Sequence, residues 1–109
     1  MEILFYKSAS GRTPAYEYLQ DLPADDVKIV LGDFEIIKKH GIFNAPVSTR
    51  QLDGKLWEIK TGTRHQQRFF YCVVSGPLLM ILHACKKQKT GSQSEDVDIA
   101  YKRMKEVLR

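Results

Sequence analysis

The chain has 109 residues, of which 43% are hydrophobic and 10% aromatic, enough for a packed core and too many for an intrinsically disordered chain. At this length one small domain over residues 1–109 is expected, which excludes two-lobed cofactor folds and solenoids. The net charge of +4 is unevenly spread: between Ile59 and Ser94 lie six of the 17 Lys and Arg residues and none of the 13 Asp and Glu, pointing to a phosphate-bearing partner rather than only a solvated loop.

Taken in chain order, Ile3 to Tyr6 predicts a short strand. Thr13-Pro14 follows, an N-cap residue and a proline at the first helical position, so a short helix runs through Leu19. Asp21-Leu22-Pro23 restarts the punctuation. Val27, Val30, Leu31, Phe34 and Ile37 then recur at three- and four-residue spacing, with Ile29 and Ile36 widening the stripe. Lys38, Lys39 and His40 before Gly41 close this second helix, and the two make a helical hairpin. Gly41 to Thr49 has no period and reads as a connection. Leu56 to Lys60, Gln67 to Val74 and Leu78 to Cys85 are strand-like runs, separated by breaks at Thr61-Gly62-Thr63 and Ser75-Gly76-Pro77 short enough for antiparallel pairing. Ser92-x-x-Glu95 is a capping box, and Val97, Ala100, Tyr101, Met104 and Leu108 share one face of a last helix. The expected fold is α+β, ordered β-α-α-β-β-β-α, a helical hairpin on a small, mainly antiparallel twisted sheet with a C-terminal helix.

The longest purely apolar run, Leu78 to Leu82, is far below the roughly 20 residues of a membrane span. A soluble cytoplasmic protein is expected. Cys72 and Cys85 lack C-x-x-C spacing, and His40, His65 and His83 lack ligand spacing, so neither a disulfide framework nor a zinc site is read. The lack of acidic residues between Ile59 and Ser94 disfavours magnesium there, and no cofactor is expected.

Strand alternation puts Trp57 and Ile59 on one face and Leu56, Glu58 and Lys60 on the other, with Arg68 and Phe70 opposite Phe69, Tyr71 and Val73. With the aromatic face packed under the helices, Lys60 and Arg68 are expected together on an open face. Arg64 and His65 sit at the turn, and Lys86 and Lys87 follow the last strand. Trp57 and Tyr71 read as core residues, and His83, in an apolar run, as a satisfied buried histidine rather than a catalytic one.

The segments Leu52-x-Gly54-x-Leu56-Trp57-Glu58-Ile59-Lys60, Arg68-Phe69-Phe70-Tyr71, Ile81-Leu82-His83-Ala84-Cys85-Lys86-Lys87 and Ile99-Ala100-x-x-Arg103, in that order, resemble the RelE/ParE toxin superfamily, and most closely its phage-derived, HigB-like branch. The resemblance covers nearly the whole chain. It implies a RelE-like fold and the toxin half of a type II toxin–antitoxin module, an endoribonuclease that cuts mRNA on the ribosome. The implied partners are mRNA on the ribosome and a cognate antitoxin, expected to carry a helix-turn-helix DNA-binding domain and to join the toxin in a higher-order assembly. No membrane partner is implied. A ParE-like, non-enzymatic inhibitor of DNA gyrase and an inactive RNA-binding homologue are the alternatives. The family usually has Arg where this chain has Lys60, an aromatic at Cys85, and Thr-Pro at Ser92-Gln93.

RNA cleavage without a metal requires removal of the 2′-hydroxyl proton, neutralisation of the phosphorane and a proton for the departing 5′-oxygen. Arg68 and Arg64 are the candidates for holding the scissile phosphate, because a guanidinium contacts two oxygens at once. The resemblance suggests a lysine as the base, with Lys87 or Lys60 ahead of Lys86. Lys89, His65 and Lys55 are the candidate RNA contacts.

Overall fold

The computed structural model describes residues 1–88 and 93–109. It is a mixed α+β fold: β1 (Glu2–Phe5), α1 (Pro14–Gln20), α2 (Ala24–His40), β2 (Ser48–Asp53), β3 (Leu56–Thr61), a one-turn 3-10 segment (Thr63–His65), β4 (Gln67–Ser75), β5 (Leu78–Lys86) and α3 (Ser94–Val107). The five strands form one sheet in the order β1-β5-β4-β3-β2. β1 runs parallel to β5, and every other pair is antiparallel. No helix among the described residues is long and apolar enough to cross a membrane.

The helical hairpin and the three-strand meander form where sequence periodicity places them, and Pro14 opens α1 while Gly41, at a φ of 80°, ends α2. β2 is a correction to the expected order. Its sequence, Ser-Thr-Arg-Gln-Leu-Asp, has no apolar alternation, because it is an edge strand paired only with β3. An edge strand with one hydrogen-bonding neighbour and little burial leaves almost no hydrophobic signature. The capping box is a second difference: α3 begins at Ser94 with Gln93 at its N-cap, while Ser92, like Lys89, lies outside the described residues.

The sheet has no open face, contrary to expectation. On one side Val30, Phe34 and Ile37 of α2, with Ala15 and Leu19 of α1, bury Ile59, Phe69, Tyr71, Leu79 and Ile81. On the other, Ala100 and Met104 of α3 cover Leu56, Phe70, Cys72 and Leu82. The physical reason lies in α3 itself: its apolar stripe must be removed from water, and the hairpin already occupies the first face. The α2 stripe is narrower than its spacing suggests, since Ile29 and Leu31 remain exposed.

Phe69 is the centre of the hairpin-side core, in edge-on contact with Phe34 at 5.3 Å and Tyr18 at 6.3 Å between ring centroids. The same core makes stability sensitive to alkaline pH. Burial pushes the phenols of Tyr18 and Tyr71 up from the usual 10 to about 12. The folded state therefore keeps protons that the unfolded chain releases. The stability these groups contribute is complete below pH 10 and disappears as the pH rises through about 12. Denaturant midpoints measured across that window are expected to fall, and Tyr71→Phe is expected to flatten the fall.

A cationic cavity as the candidate functional site

Antiparallel pairing brings three chain segments to one end of the sheet. Lys60 of β3 lies directly opposite Arg68 of β4, Arg68 opposite Cys85 of β5, and Gln67 opposite Lys86. The end of β3, the start of β4 and the end of β5 thus coincide, a placement that strand order alone decides. The backbone N–H of Lys87 donates to the Gln66 carbonyl at 2.7 Å, fastening the segment after β5 to the β3–β4 turn.

That turn is tightly held. Gly62 has a φ of 78°, and a Cβ there would sit 2.8 Å from Asp26 Oδ1 and 2.7 Å from Gln67 Cγ. Asp26 also accepts the Thr63 backbone N–H at 2.8 Å, so α2 grips the turn directly. Arg64 and His65 follow in the left-handed region, at φ of 56° and 54°, a conformation that costs a non-glycine residue energy and is found where surrounding structure enforces it.

Between the sheet end and the start of α3 lies a cavity of about 600 Å³. Arg50, Glu58, Lys60 and Arg68 line it from the sheet, Lys87 and Gln88 from the segment after β5, and Gln93, Ser94, Val97 and Asp98 from α3 and its N-cap. Arg68 is not the exposed residue that alternation suggests: it is 6% exposed, because α3 closes this face. Its Nη1 donates to the His65 carbonyl at 2.8 Å, and its Nε stands 4.0 Å from Glu58 Oε1.

Glu58 is the residue that sequence reasoning missed. Its carboxylate is 1% exposed, with Arg50 Nε 3.1 Å from Oε1. Among the described residues neither of its oxygens accepts a well-aligned hydrogen bond; the Arg50 contact is an ion pair by distance. A buried carboxylate is tolerated when cations flank it. Glu58 therefore separates and holds two guanidiniums, one buried and one exposed. Arg50 escaped notice with its strand, although β2–β3 register sets it directly opposite Glu58.

Strand order brings Lys60, Arg68 and Lys87 to one cavity, and the structure adds Arg50. Arg64, Lys86 and Lys87 line an adjoining depression of about 290 Å³ with Gln66. Lys55 is elsewhere: it borders an apolar cavity with Ile42, Phe43, Trp57 and Tyr71 on the hairpin side of the sheet. His65 is exposed at the turn and reaches the cavity only through its carbonyl. The acid-free window of sequence is not acid-free in space, since Glu58 and Asp98, just outside it, both line the cavity. Four cations face two carboxylates there, an excess positive charge suited to a phosphate.

A family model for the phage-derived protein Gp49-like family (DUF891) matches residues 17–105. The chain belongs to this Gp49-like family. The match runs from within α1 to within α3 and includes every residue named in the cationic cavity. No curated protein is a significant match.

His83 is held as a satisfied, half-buried residue. Its ring stacks on Phe70, with centroids 5.8 Å apart and planes 12° from parallel. Arg103 Nη1 donates to the Leu82 carbonyl at 2.9 Å and reaches His83 Nδ1 at 3.4 Å. A ring whose Nδ1 faces a guanidinium carries its proton on Nε2, which therefore donates to Asp96 Oδ1 at 2.8 Å. Beside it, burial pushes the Cys85 thiol up to about 12.

Proposed function

We propose that this Gp49-like protein is the toxin of a type II toxin–antitoxin pair and acts as an endoribonuclease on mRNA at the ribosome. The observation that carries this reading is the convergence of Arg50, Lys60, Arg68 and Lys87 on one cavity around a buried Glu58. The likeness of the chain to the RelE/ParE superfamily, HigB-like branch, supplies the reaction class.

In this reading Arg68, fixed by the His65 carbonyl and Glu58, presents its remaining N–H groups to the scissile phosphate. Arg50 offers a second guanidinium, restoring the planar fork that Lys60 lacks. One of Lys60 and Lys87, reacting as the free amine, accepts the 2′-hydroxyl proton as the oxygen attacks phosphorus. The 5′-oxygen then leaves with a proton donated by the other of these two lysines, which reacts as the ammonium, giving a cyclic phosphate and a free 5′-hydroxyl. A site this small and open does not order RNA by itself, and the ribosome supplies the alignment. Binding to ribosomal and messenger RNA falls steeply with salt. A cognate antitoxin with acidic side chains opposite the cavity completes the pair, acting in the cytoplasm.

Primer extension on a defined mRNA, with and without translating ribosomes, tests this. A discrete new 5′ end is expected only with ribosomes, much reduced in Lys87→Ala and Arg50→Ala and retained in Lys55→Ala. Growth arrest by the same preparation with no new 5′ end would refute the nuclease and direct attention to DNA gyrase.

A further inference from the structure

Beside the cationic cavity the fold assembles three side chains from two elements: His83 and Cys85 from β5, and Asp96 from the first turn of α3. His83 Nε2 lies 2.8 Å from Asp96 Oδ1, and these atoms and Cys85 Sγ are all within 4.8 Å of one another. We propose that His83, Cys85 and Asp96 bind a single thiophilic divalent cation of the zinc class, with a fourth position left to water.

The donor set fits such an ion and not magnesium or calcium, which take oxygen ligands. Metal–ligand bonds of about 2.0–2.3 Å in a tetrahedron place ligand atoms about 3.5 Å apart. The imidazole and carboxylate must therefore separate slightly from 2.8 Å, and the sulfur, within 4.8 Å of both, takes up the same spacing, movements within the reach of side-chain rotation. The backbone supplies the rest. Residues 83 and 85 are two apart on one strand and so share the α3 face. Phe70 fixes the imidazole plane, and Gln93 Nε2 donates to Cys85 Sγ at 3.2 Å, a bond that strengthens when the sulfur is a thiolate.

Charge and protons balance. A thiolate and a carboxylate neutralise a divalent ion, which matters near Arg68 and Arg103. On binding, the thiol proton goes to solvent and the imidazole proton moves from Nε2 to Nδ1. Arg103 then withdraws from Nδ1, keeping its bond to the Leu82 carbonyl and its position 4.9 Å over the Tyr6 ring. All three ligands are half-buried, which leaves an ion a route in. The bound ion would join β5 to the start of α3, whose Ser94, Val97 and Asp98 wall the cationic cavity. This site stands independently of the nuclease reading.

Titration of the reduced, full-length protein with Co²⁺ is the test. Saturation at one equivalent is expected, with sulfur-to-cobalt charge-transfer absorption and the strong d–d bands of a four-coordinate ion, all displaced by Zn²⁺. Cys85→Ser should abolish the charge-transfer band although Cys72 remains. Asp96→Asn and His83→Gln should each weaken binding at least about tenfold. In the unmutated chain Zn²⁺ should slow alkylation of Cys85 by iodoacetamide, an arm that requires no variant to fold. Absence of the band at stoichiometric cobalt, its survival in Cys85→Ser, or unprotected Cys85 overturns the site. Unchanged affinity in Asp96→Asn or His83→Gln overturns the three-ligand set.

Discussion

Arg68→Ala is expected to lower the rate of ribosome-dependent cleavage about a hundredfold to a thousandfold, the usual consequence of losing one preorganised contact to developing charge. The same substitution is expected to cost about 1–3 kcal/mol of stability, because it removes one of two cations beside a buried carboxylate and leaves only Arg50, 3.1 Å away, to balance it. Glu58 is 1% exposed and Arg68 6%, so water does not easily replace the lost charge. The two effects separate in a double variant. Glu58→Leu combined with Arg68→Ala removes both charges together and is expected to recover most of the stability in urea denaturation while leaving cleavage at the level of Arg68→Ala. Recovery of both would make Arg68 a structural partner of Glu58 and nothing more. Loss of cleavage with unchanged stability in the single variant would show that Glu58 does not depend on Arg68 as counter-charge.

Phe69→Ala should produce the largest loss of stability from a single core truncation, about 3–5 kcal/mol. Phe69 is wholly buried and joins β4 to both hairpin helices through Phe34 and Tyr18. Its neighbours Arg68 and Phe70 point to the other face of the same strand, so the loss loosens the support of the cavity without touching its lining. The readout is the denaturant midpoint together with the slope of the transition. A shift with unchanged slope indicates a cavity in an otherwise intact fold, whereas a broader transition indicates that the two faces of the sheet come apart separately. A shift worth less than 1 kcal/mol would place the main stabilising core on the α3 side instead.

The chain's own pattern was sufficient for much of this structure. Pro14, Gly41 and the spacing of Val30, Phe34 and Ile37 specify the hairpin, and the alternation of Ile59, Phe69 and Tyr71 against Glu58, Arg68 and Phe70 specifies which side of each strand faces which layer. These features are local, because a helix face or strand face is a matter of residues a few positions apart. The basic character of the segment between Ile59 and Ser94 was equally plain, and three of its residues, Lys60, Arg68 and Lys87, do line one cavity.

What only the tertiary structure decided involves partners distant in sequence. β2 carries no apolar alternation, so Arg50 became visible only when pairing with β3 set it against Glu58. The burial of Glu58 and Arg68 depends on α3 crossing the second face of the sheet, and the meeting of His83 and Cys85 with Asp96 depends on where that helix begins. Lys55, by contrast, is close to the site in sequence and on the far side of the sheet in space. Periodicity records which side of an element is turned from water, since that is a property of each segment alone. Which charged groups then face one another depends on strand order and helix docking, which arise from burying all the apolar faces at once.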